Sequence, residues 1–161
     1  MNIVTYKDSL SEIRDLYEKY YTNENITIFR KEIFSGEYSH IFKKIFIDNN
    51  FTWNEGTEYL ELCVWKSKYV SEDCTLYNDQ MIHQDLIRKG NKTIHLNTCI
   101  VYLENSFKVG GNLIFYDNFK KIDKIKVEKD LVCLFDGDIY HRPQNVKGNG
   151  LRACVIFQKE K

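Results

Sequence analysis

Two side chains in the stretch MIHQDLIRKG (residues 81–90) could bind the same metal ion. His83 and Asp85 are separated by one residue, so on a β-strand both would project from the same face. A His-x-Asp pair by itself is more often a turn or a surface strand. The pair becomes informative only when the rest of the chain supplies a third ligand.

His141 is the best-placed third ligand, because it follows the apolar run LVCLF in the segment GDIYHRPQ. We expect the other two histidines, His40 and His95, to be structural or exposed. Two histidines and one carboxylate form the facial triad of non-haem iron(II) oxygenases, which leaves about three of the roughly six iron positions open. That ligand set suits oxygen activation.

Arg152 stands in the apolar segment GLRACVIFQ, eleven positions after His141. Period-two alternation places it on one strand face with Cys154 and Ile156, among residues that should be buried. Burying an unpaired guanidinium costs several kcal/mol, so Arg152 should have an anionic partner inside the fold or in a ligand. A forked pair of hydrogen bonds to a carboxylate would satisfy it.

Short apolar runs from residue 58 onward indicate many strands, preceded by two helices. Residues 9–21 and 37–48 have apolar side chains at helical spacing, and Ser9 with Glu12 suggests a capping box. Strands are predicted near 58–68, 77–84, 94–104, 111–117, 123–128, 131–136 and 151–158. This order predicts an α+β domain in which the N-terminal helices support a β-sandwich or barrel.

Alternation also predicts which side chains of HLNTCIVYLE share a face. One face carries Thr98, Ile100 and Tyr102, and the other carries Cys99, Val101 and Leu103. The lysine-rich run at 120–129 is interpreted as a solvated edge strand.

Composition excludes several classes of protein. The 161 residues contain 23 Lys and Arg and 23 Asp and Glu, so no net charge would draw the chain to a nucleic acid or an anionic membrane. No apolar run is long enough for a membrane span, and the N-terminus lacks the pattern of a signal peptide. We expect a cytoplasmic, soluble, single domain over 1–161, with five reduced and mostly buried cysteines.

Five segments resemble the prolyl 4-hydroxylase-like group of 2-oxoglutarate- and iron(II)-dependent oxygenases, most nearly its hypoxia-sensing type. They are HQD (83–85), TCIVYLE (98–104), GGNLIFY (110–116), LVCLFDGDIYH (131–141) and GLRACVIF (150–157). The segments cover about half of the chain, in the order found in that group.

The resemblance implies a double-stranded β-helix, or jelly roll, over 58–158, with supporting helices in 1–50. It assigns His83, Asp85 and His141 to iron, and Arg152 with Tyr102 to the distal carboxylate of 2-oxoglutarate. Ile100 and Leu113 match apolar positions that line the cosubstrate. An upstream tyrosine also contacts the cosubstrate in this group, and Tyr69 and Tyr77 are the candidates here.

The activity implied is hydroxylation of a protein side chain, with prolyl as the first choice of target and a protein or peptide as substrate. It consumes 2-oxoglutarate and O2 and yields succinate and CO2, with ascorbate as an optional reductant. Catalysis would depend on His83, Asp85, His141 and Arg152 together. The sequence does not determine whether the chain is a monomer or a dimer.

Two alternatives remain. An oxygenase of a free amino acid or another small molecule would keep the same metal and cosubstrate residues. A catalytically silent jelly roll that binds a partner would keep the fold alone. Nucleic-acid demethylation is disfavoured, because Gln158 stands where that group has a second arginine. Halogenation is disfavoured because Asp85 is retained.

Overall fold

The computed structural model describes residues 2–22, 27–78 and 80–161. Two α-helices, α1 (Ser11–Tyr20) and α2 (Ser39–Asp48), are present, with a 3-10 turn at Ser35–Glu37. The strands are β1 (Ile3–Lys7), β2 (Ile28–Ile33), β3 (Glu58–Ser67), β4 (Thr75–Leu76), β5 (Leu86–Lys89), β6 (Lys92–Asn105), β7 (Val109–Gly110), β8 (Leu113–Asp117), β9 (Lys120–Ile125), β10 (Leu131–Asp136), β11 (Tyr140–Pro143), β12 (Val146–Lys147) and β13 (Gly150–Glu160).

The strands form one large antiparallel sheet and two small ones. The large sheet has the order β1-β10-β6-β13-β3-β2, and β5 pairs with one end of β6. The small sheets have the orders β11-β8-β9 and β4-β12-β7. The large sheet packs against β8 through the edge-to-face pair Phe115 and Phe135, whose ring centroids are 5.0 Å apart. This two-layer, antiparallel arrangement is a jelly roll.

Both faces of the large sheet are buried, and each covers a different cluster of side chains. On the outer face, Phe42 of α2 stacks on Phe157 of β13 with centroids 4.3 Å apart, and Ile13 and Leu16 of α1 belong to the same cluster. On the inner face, Tyr102 and Phe135 pack with side chains of β8. The long apolar runs of β6, β10 and β13 follow from this burial, because a strand covered on both sides has little need of polar positions.

The predicted strand phases are confirmed. Thr98, Ile100 and Tyr102 face the space between the sheets, as do Arg152, Cys154 and Ile156. Their neighbours Cys99, Val101, Leu103, Ala153, Val155 and Phe157 lie in the outer cluster. Period-two alternation was sufficient to assign these residues, because the strand dihedrals alone determine which side chains share a face.

Two predictions of local structure are wrong. No strand covers the described part of 77–84: β4 ends at Leu76, and His83 forms only an isolated bridge with His141. Position 79 lies outside the described residues. Helix α1 begins at Ser11 after Leu10, without a side-chain cap, so the capping box is absent.

The edge strands were only partly anticipated. β1 and β2 were not predicted, and they lie at the two ends of the large sheet, paired with β10 and β3. β9 is the exposed edge of its small sheet, which confirms the edge-strand interpretation for 120–125, whereas 126–129 of the lysine-rich run are not in a strand. Among the described residues, no helix combines the length and hydropathy needed to cross a membrane.

Candidate metal centre and ligand cavity

The three predicted metal ligands meet at one end of the jelly roll. His83 and His141 are held side by side by paired backbone hydrogen bonds of 3.0 and 2.9 Å between their own N–H and C=O groups. The backbone N–H of Asp85 donates to Gly137 at 2.7 Å. One ligand atom from each of the three side chains lies within 4.8 Å of the others. The two ligands of this segment therefore come together without a strand, held by the isolated bridge at His83 and the bond from Asp85.

Both imidazoles are oriented by main-chain carbonyls. Nδ1 of His83 lies 2.6 Å from the carbonyl oxygen of Met81, and Nδ1 of His141 lies 2.8 Å from that of Ile139. A proton on each Nδ1 can donate to these oxygens. An Nε2 that also carries a proton donates to Asp85, whereas an Nε2 without one offers its lone pair to a cation. Both Nε2 atoms face Asp85, at 3.5 Å for His83 and 3.4 Å for His141.

Asp85 is a buried carboxylate that stays ionised. Burial raises the pKa of Asp85, but hydrogen bonds from His141, His83 and Thr98 outweigh burial and bring it well below its usual range. The hydroxyl of Thr98 donates to Oδ2 at 2.5 Å. The bond to Asp85 raises the pKa of His83, although desolvation opposes it. Two imidazole nitrogens and one carboxylate, converging and oriented, are a ligand set that fits a divalent cation such as iron(II).

The centre opens into a cavity of about 210 Å³ between the sheets. Arg152 lies in its wall, 4% exposed. Its Nη1 donates to the carbonyl oxygen of Gly111 at 2.6 Å, and its guanidinium lies 4.5 Å from the ring centroid of Trp65 and 5.0 Å from that of Tyr102. Among the described residues, no carboxylate pairs with Arg152, so the expected anionic partner is not within this part of the chain.

Two more donors beside Arg152 lack a partner. The hydroxyl of Tyr102 and the indole Nε1 of Trp65 are buried and have no hydrogen-bond partner in the part of the chain that the structure describes. Burial raises the pKa of Tyr102, so its hydroxyl keeps its proton. A bound carboxylate could accept hydrogen bonds from the guanidinium, the phenol and the indole N–H in this cavity wall. The wall therefore has the donors to bind a carboxylate group of a ligand.

The opposite part of the cavity is polar. Tyr59 and Glu61 of β3 line it with Arg30 of β2, Gln80 and Gln158. The hydroxyl of Tyr59 donates to Glu61 at 2.6 Å, and the Arg30 guanidinium lies 3.8 Å from the same carboxylate.

The remaining predicted residues separate into two groups. Ile100 and Leu113 line the cavity. Tyr69 and Tyr77 do not, since their side chains are 99% and 73% exposed, and the structure does not bring them to the other site residues. The sequence reasoning missed Trp65, although alternation along β3 places Tyr59, Glu61, Cys63 and Trp65 on one face. The period-two pattern of EYLELCVWKS could have revealed it.

Neither family models nor curated proteins gave a match to the chain. Solved structures do match it. A viral collagen prolyl hydroxylase from Paramecium bursaria Chlorella virus 1, in complex with 2-oxoglutarate, is 14% identical with a TM-score of 0.62, over 99% of this chain and 96% of that one. A prolyl-4-hydroxylase from Pseudomonas putida is 11% identical with a TM-score of 0.58, over 99% and 93%.

HygX from Streptomyces hygroscopicus, with nickel, 2-oxoglutarate and hygromycin B bound, is 13% identical with a TM-score of 0.56, over 97% of this chain and 81% of that one. At these identities the similarity concerns the fold. The chain therefore has the jelly-roll fold of the 2-oxoglutarate and iron(II) oxygenases.

Proposed function

We propose that this chain is a 2-oxoglutarate- and iron(II)-dependent oxygenase. One observation carries the proposal: the His83, Asp85 and His141 cluster opens into a cavity whose wall holds a buried guanidinium without a carboxylate. Residues 1–161 would form one catalytic domain, with α1 and α2 supporting the outer face of the large sheet. The overall reaction would convert 2-oxoglutarate, O2 and a C–H group into succinate, CO2 and an alcohol.

His83, Asp85 and His141 would hold the iron, and Thr98 would orient Asp85 through its hydroxyl. Arg152, Tyr102 and Trp65 would bind the distal carboxylate of 2-oxoglutarate, while Ile100 and Leu113 would exclude water along its carbon chain. Iron, when bound, would supply the activation of O2 and the oxidising power for the C–H bond. The protein would contribute the fixed geometry and a cavity with little water.

A protein side chain is our first candidate for the substrate, and a prolyl residue is the specific side chain that we propose. The sequence resemblance to hypoxia-sensing prolyl hydroxylases supports this choice, as do the structural neighbours described as prolyl hydroxylases. A small polar molecule is the second candidate. Glu61, Tyr59 and Arg30 make part of the cavity charged and hydrogen-bonding, which suits a polar substrate better than a bare pyrrolidine ring.

Succinate formation tests the proposal. Protein loaded with iron(II) without oxygen would be given 2-oxoglutarate, O2 and ascorbate, with and without a library of proline-containing peptides. Peptide-stimulated succinate together with a peptide mass gain of about 16 Da, one oxygen atom, would establish side-chain hydroxylation. Slow, peptide-independent succinate would direct the search to small molecules.

Absence of both iron binding and succinate would contradict the proposal and favour a silent jelly roll. Arg152→Gln is the matched control, because it should abolish succinate formation while leaving the metal ligands in place.

A further inference from the structure

Two cysteines face each other in the wall of the cavity. Cys63 of β3 and Cys154 of β13 are direct partners in the antiparallel register. Both thiols are free, and both residues line the cavity. Neither the metal cluster nor the carboxylate donors require them.

The register brings the pair within reach of a disulfide. Directly opposed residues of antiparallel strands have Cα atoms about 4.5 or 5.5 Å apart. Disulfides span Cα separations of about 4.4–6.8 Å, so either spacing allows the bond. Cys99 and Cys133 differ, because they oppose Leu134 and Ile100 and lie on opposite faces of the large sheet.

We infer that Cys63 and Cys154 form a redox-reversible dithiol site in the cavity wall, which a peroxide oxidises to a disulfide only while the cavity is free of ligand. Each residue is 5% exposed, and the cavity that both line is the route by which a small oxidant reaches them. The pair lies one inward-facing position from Trp65 and Arg152 along β3 and β13. A ligand held by those two residues would cover the thiols.

The pKa values of the two thiols shift in opposite directions. The hydrogen bond from Cys154 lowers the pKa of Cys63, and the nearby guanidinium of Arg152 acts in the same direction. The same pairing, with burial, raises the pKa of Cys154. We assign Cys63 as the attacking thiolate and Cys154 as the resolving thiol, an order that the single variants below test.

The reaction balances with one hydrogen peroxide. The Cys63 sulfur attacks one peroxide oxygen, the O–O bond breaks, and a sulfenic acid forms as the other oxygen leaves as water after protonation. The Cys154 sulfur then attacks the Cys63 sulfur. The S–S bond forms, the S–O bond breaks, and the thiol proton of Cys154 leaves with the hydroxide as a second water. Two thiols are oxidised by two electrons and the peroxide is reduced.

Peptide mapping tests the site. The full chain would carry Cys74→Ser, since Cys74 is exposed and would react by itself. It would be loaded with nickel(II), which avoids the reaction of iron(II) with peroxide, and treated with hydrogen peroxide before alkylation under denaturing conditions. We expect one linked peptide, Cys63–Cys154, with a mass loss of about 2 Da that dithiothreitol reverses. Cys99 and Cys133 should remain alkylated as internal controls.

Ligand protection is the second arm, and it rests on the proposed function. With 2-oxoglutarate at about ten times its dissociation constant, about a tenth of the cavities are free, so disulfide formation should slow about tenfold. The comparison would be made at equal measured concentrations of free peroxide, because 2-oxoglutarate itself consumes peroxide. Binding of 2-oxoglutarate would be measured by calorimetry on the same sample. Bound 2-oxoglutarate without protection would overturn the inference, whereas absence of binding would count against the proposed function.

Single variants complete the design. Cys63→Ala and Cys154→Ala should each abolish the linked peptide, and Cys154→Ala should accumulate a sulfenic acid on Cys63. Thermal unfolding would verify that each variant is folded. Oxidation of Cys63 and Cys154 to separate sulfinic acids in the Cys74→Ser protein, without a linked peptide, would refute the site.

Discussion

At the residue scale, the proposed metal ligands depend on neighbours that orient them. The hydroxyl of Thr98 donates a hydrogen bond to Asp85 at 2.5 Å. Thr98 belongs to β6, a strand that supplies none of the three proposed ligands. Removing such an orienting hydrogen bond lowers metal affinity or activity by about 10–100-fold in characterised sites.

We therefore expect Thr98→Val to weaken iron(II) binding by about tenfold, because the isosteric side chain leaves Asp85 without its hydroxyl partner. Anaerobic iron titration would measure it. Thr98→Ser keeps the hydroxyl and should bind iron as the parent does. Equal affinities for all three proteins would exclude an orienting role for Thr98.

The indole N–H of Trp65 leads to a second prediction at this scale. Trp65→Phe keeps an aromatic ring beneath Arg152 but removes a donor to the bound carboxylate, which is worth about 1.5–3 kcal/mol. The dissociation constant of 2-oxoglutarate should rise at least about tenfold with iron affinity unchanged, as measured by calorimetry. Trp53→Phe is the control, because Trp53 packs on Phe157 outside the cavity. A 2-oxoglutarate affinity equal to the parent's would remove Trp65 from the site.

At the element scale, the turn before β8 supports the cavity wall. Gly110 has φ +80°, and a Cβ there would lie 2.0 Å from the backbone oxygen of Asn145. The carbonyl of the next residue, Gly111, accepts the hydrogen bond from Arg152. Backbone strain at this turn would therefore reach the guanidinium.

Gly110→Ala should lower the free energy of unfolding by about 2–3 kcal/mol, since it combines a left-handed conformation with a steric clash. It should also weaken 2-oxoglutarate binding. Gly90→Ala is a matched control, because Gly90 has φ +60° and open space around it. Gly90→Ala should lower the free energy of unfolding by about 1 kcal/mol, because only the left-handed conformation opposes the new side chain. Urea unfolding of both variants would measure the difference.

An ion pair where β3 begins and β13 ends contributes to stability. Lys159 is buried and its Nζ lies 3.0 Å from a carboxylate oxygen of Glu58, which also accepts from Ser35 and Ser39. Glu58→Gln would leave the ammonium without its counter-charge and should lower the free energy of unfolding by about 3 kcal/mol. Lys159→Met removes the buried charge and should cost less. If urea unfolding showed that Lys159→Met is more destabilising than Glu58→Gln, this account would be contradicted.

The same pair determines a pH dependence. Burial raises the pKa of Glu58, but the hydrogen bonds from Lys159, Ser35 and Ser39 outweigh it, so the folded-state pKa is lower than the unfolded-state value. Stability from Glu58 is thus present above its ordinary pKa of 4.5 and is lost as pH falls through the folded value. The stability difference between the parent and Glu58→Gln should be constant near neutrality and shrink in acid. A difference that persists unchanged at acid pH would exclude Glu58 as its source.

At the scale of the whole molecule, the proposed metal and cosubstrate sites draw on both layers of the jelly roll. The ligands come from the segment before β5 and from β11, while Arg152 and Trp65 belong to the large sheet. Binding to the folded state alone raises stability by about 2.7 kcal/mol when the ligand is at about 100 times its dissociation constant.

Iron(II) and then 2-oxoglutarate should each raise the melting temperature by about 5–10 °C at such concentrations, for a domain of this size. Arg152→Gln should keep the increment from iron and lose the one from 2-oxoglutarate. Anaerobic differential scanning calorimetry would measure both, and a chelator should reverse them. Loss of both increments in Arg152→Gln would show that the arginine maintains the metal centre as well.

The sequence alone determined the features that depend on local periodicity. Residue types and alternation identified His83, Asp85, His141 and Arg152 as candidates and placed Tyr102 on the inner face, because strand geometry acts over two residues. The order of helices and strands predicted a β-sandwich or barrel, and the resemblance implied a jelly roll. The roles of these residues stay predictions until metal and cosubstrate binding are measured.

Only the tertiary structure decided which distant strands are neighbours. Trp65 beside Arg152, the Cys63–Cys154 pair and the polar wall at Glu61 depend on the register of β3 with β13, strands about ninety residues apart in the chain. The exposure of Tyr69 and Tyr77 was likewise not visible in local pattern. Register between remote strands results from the packing of the whole core, and no short segment specifies it by itself.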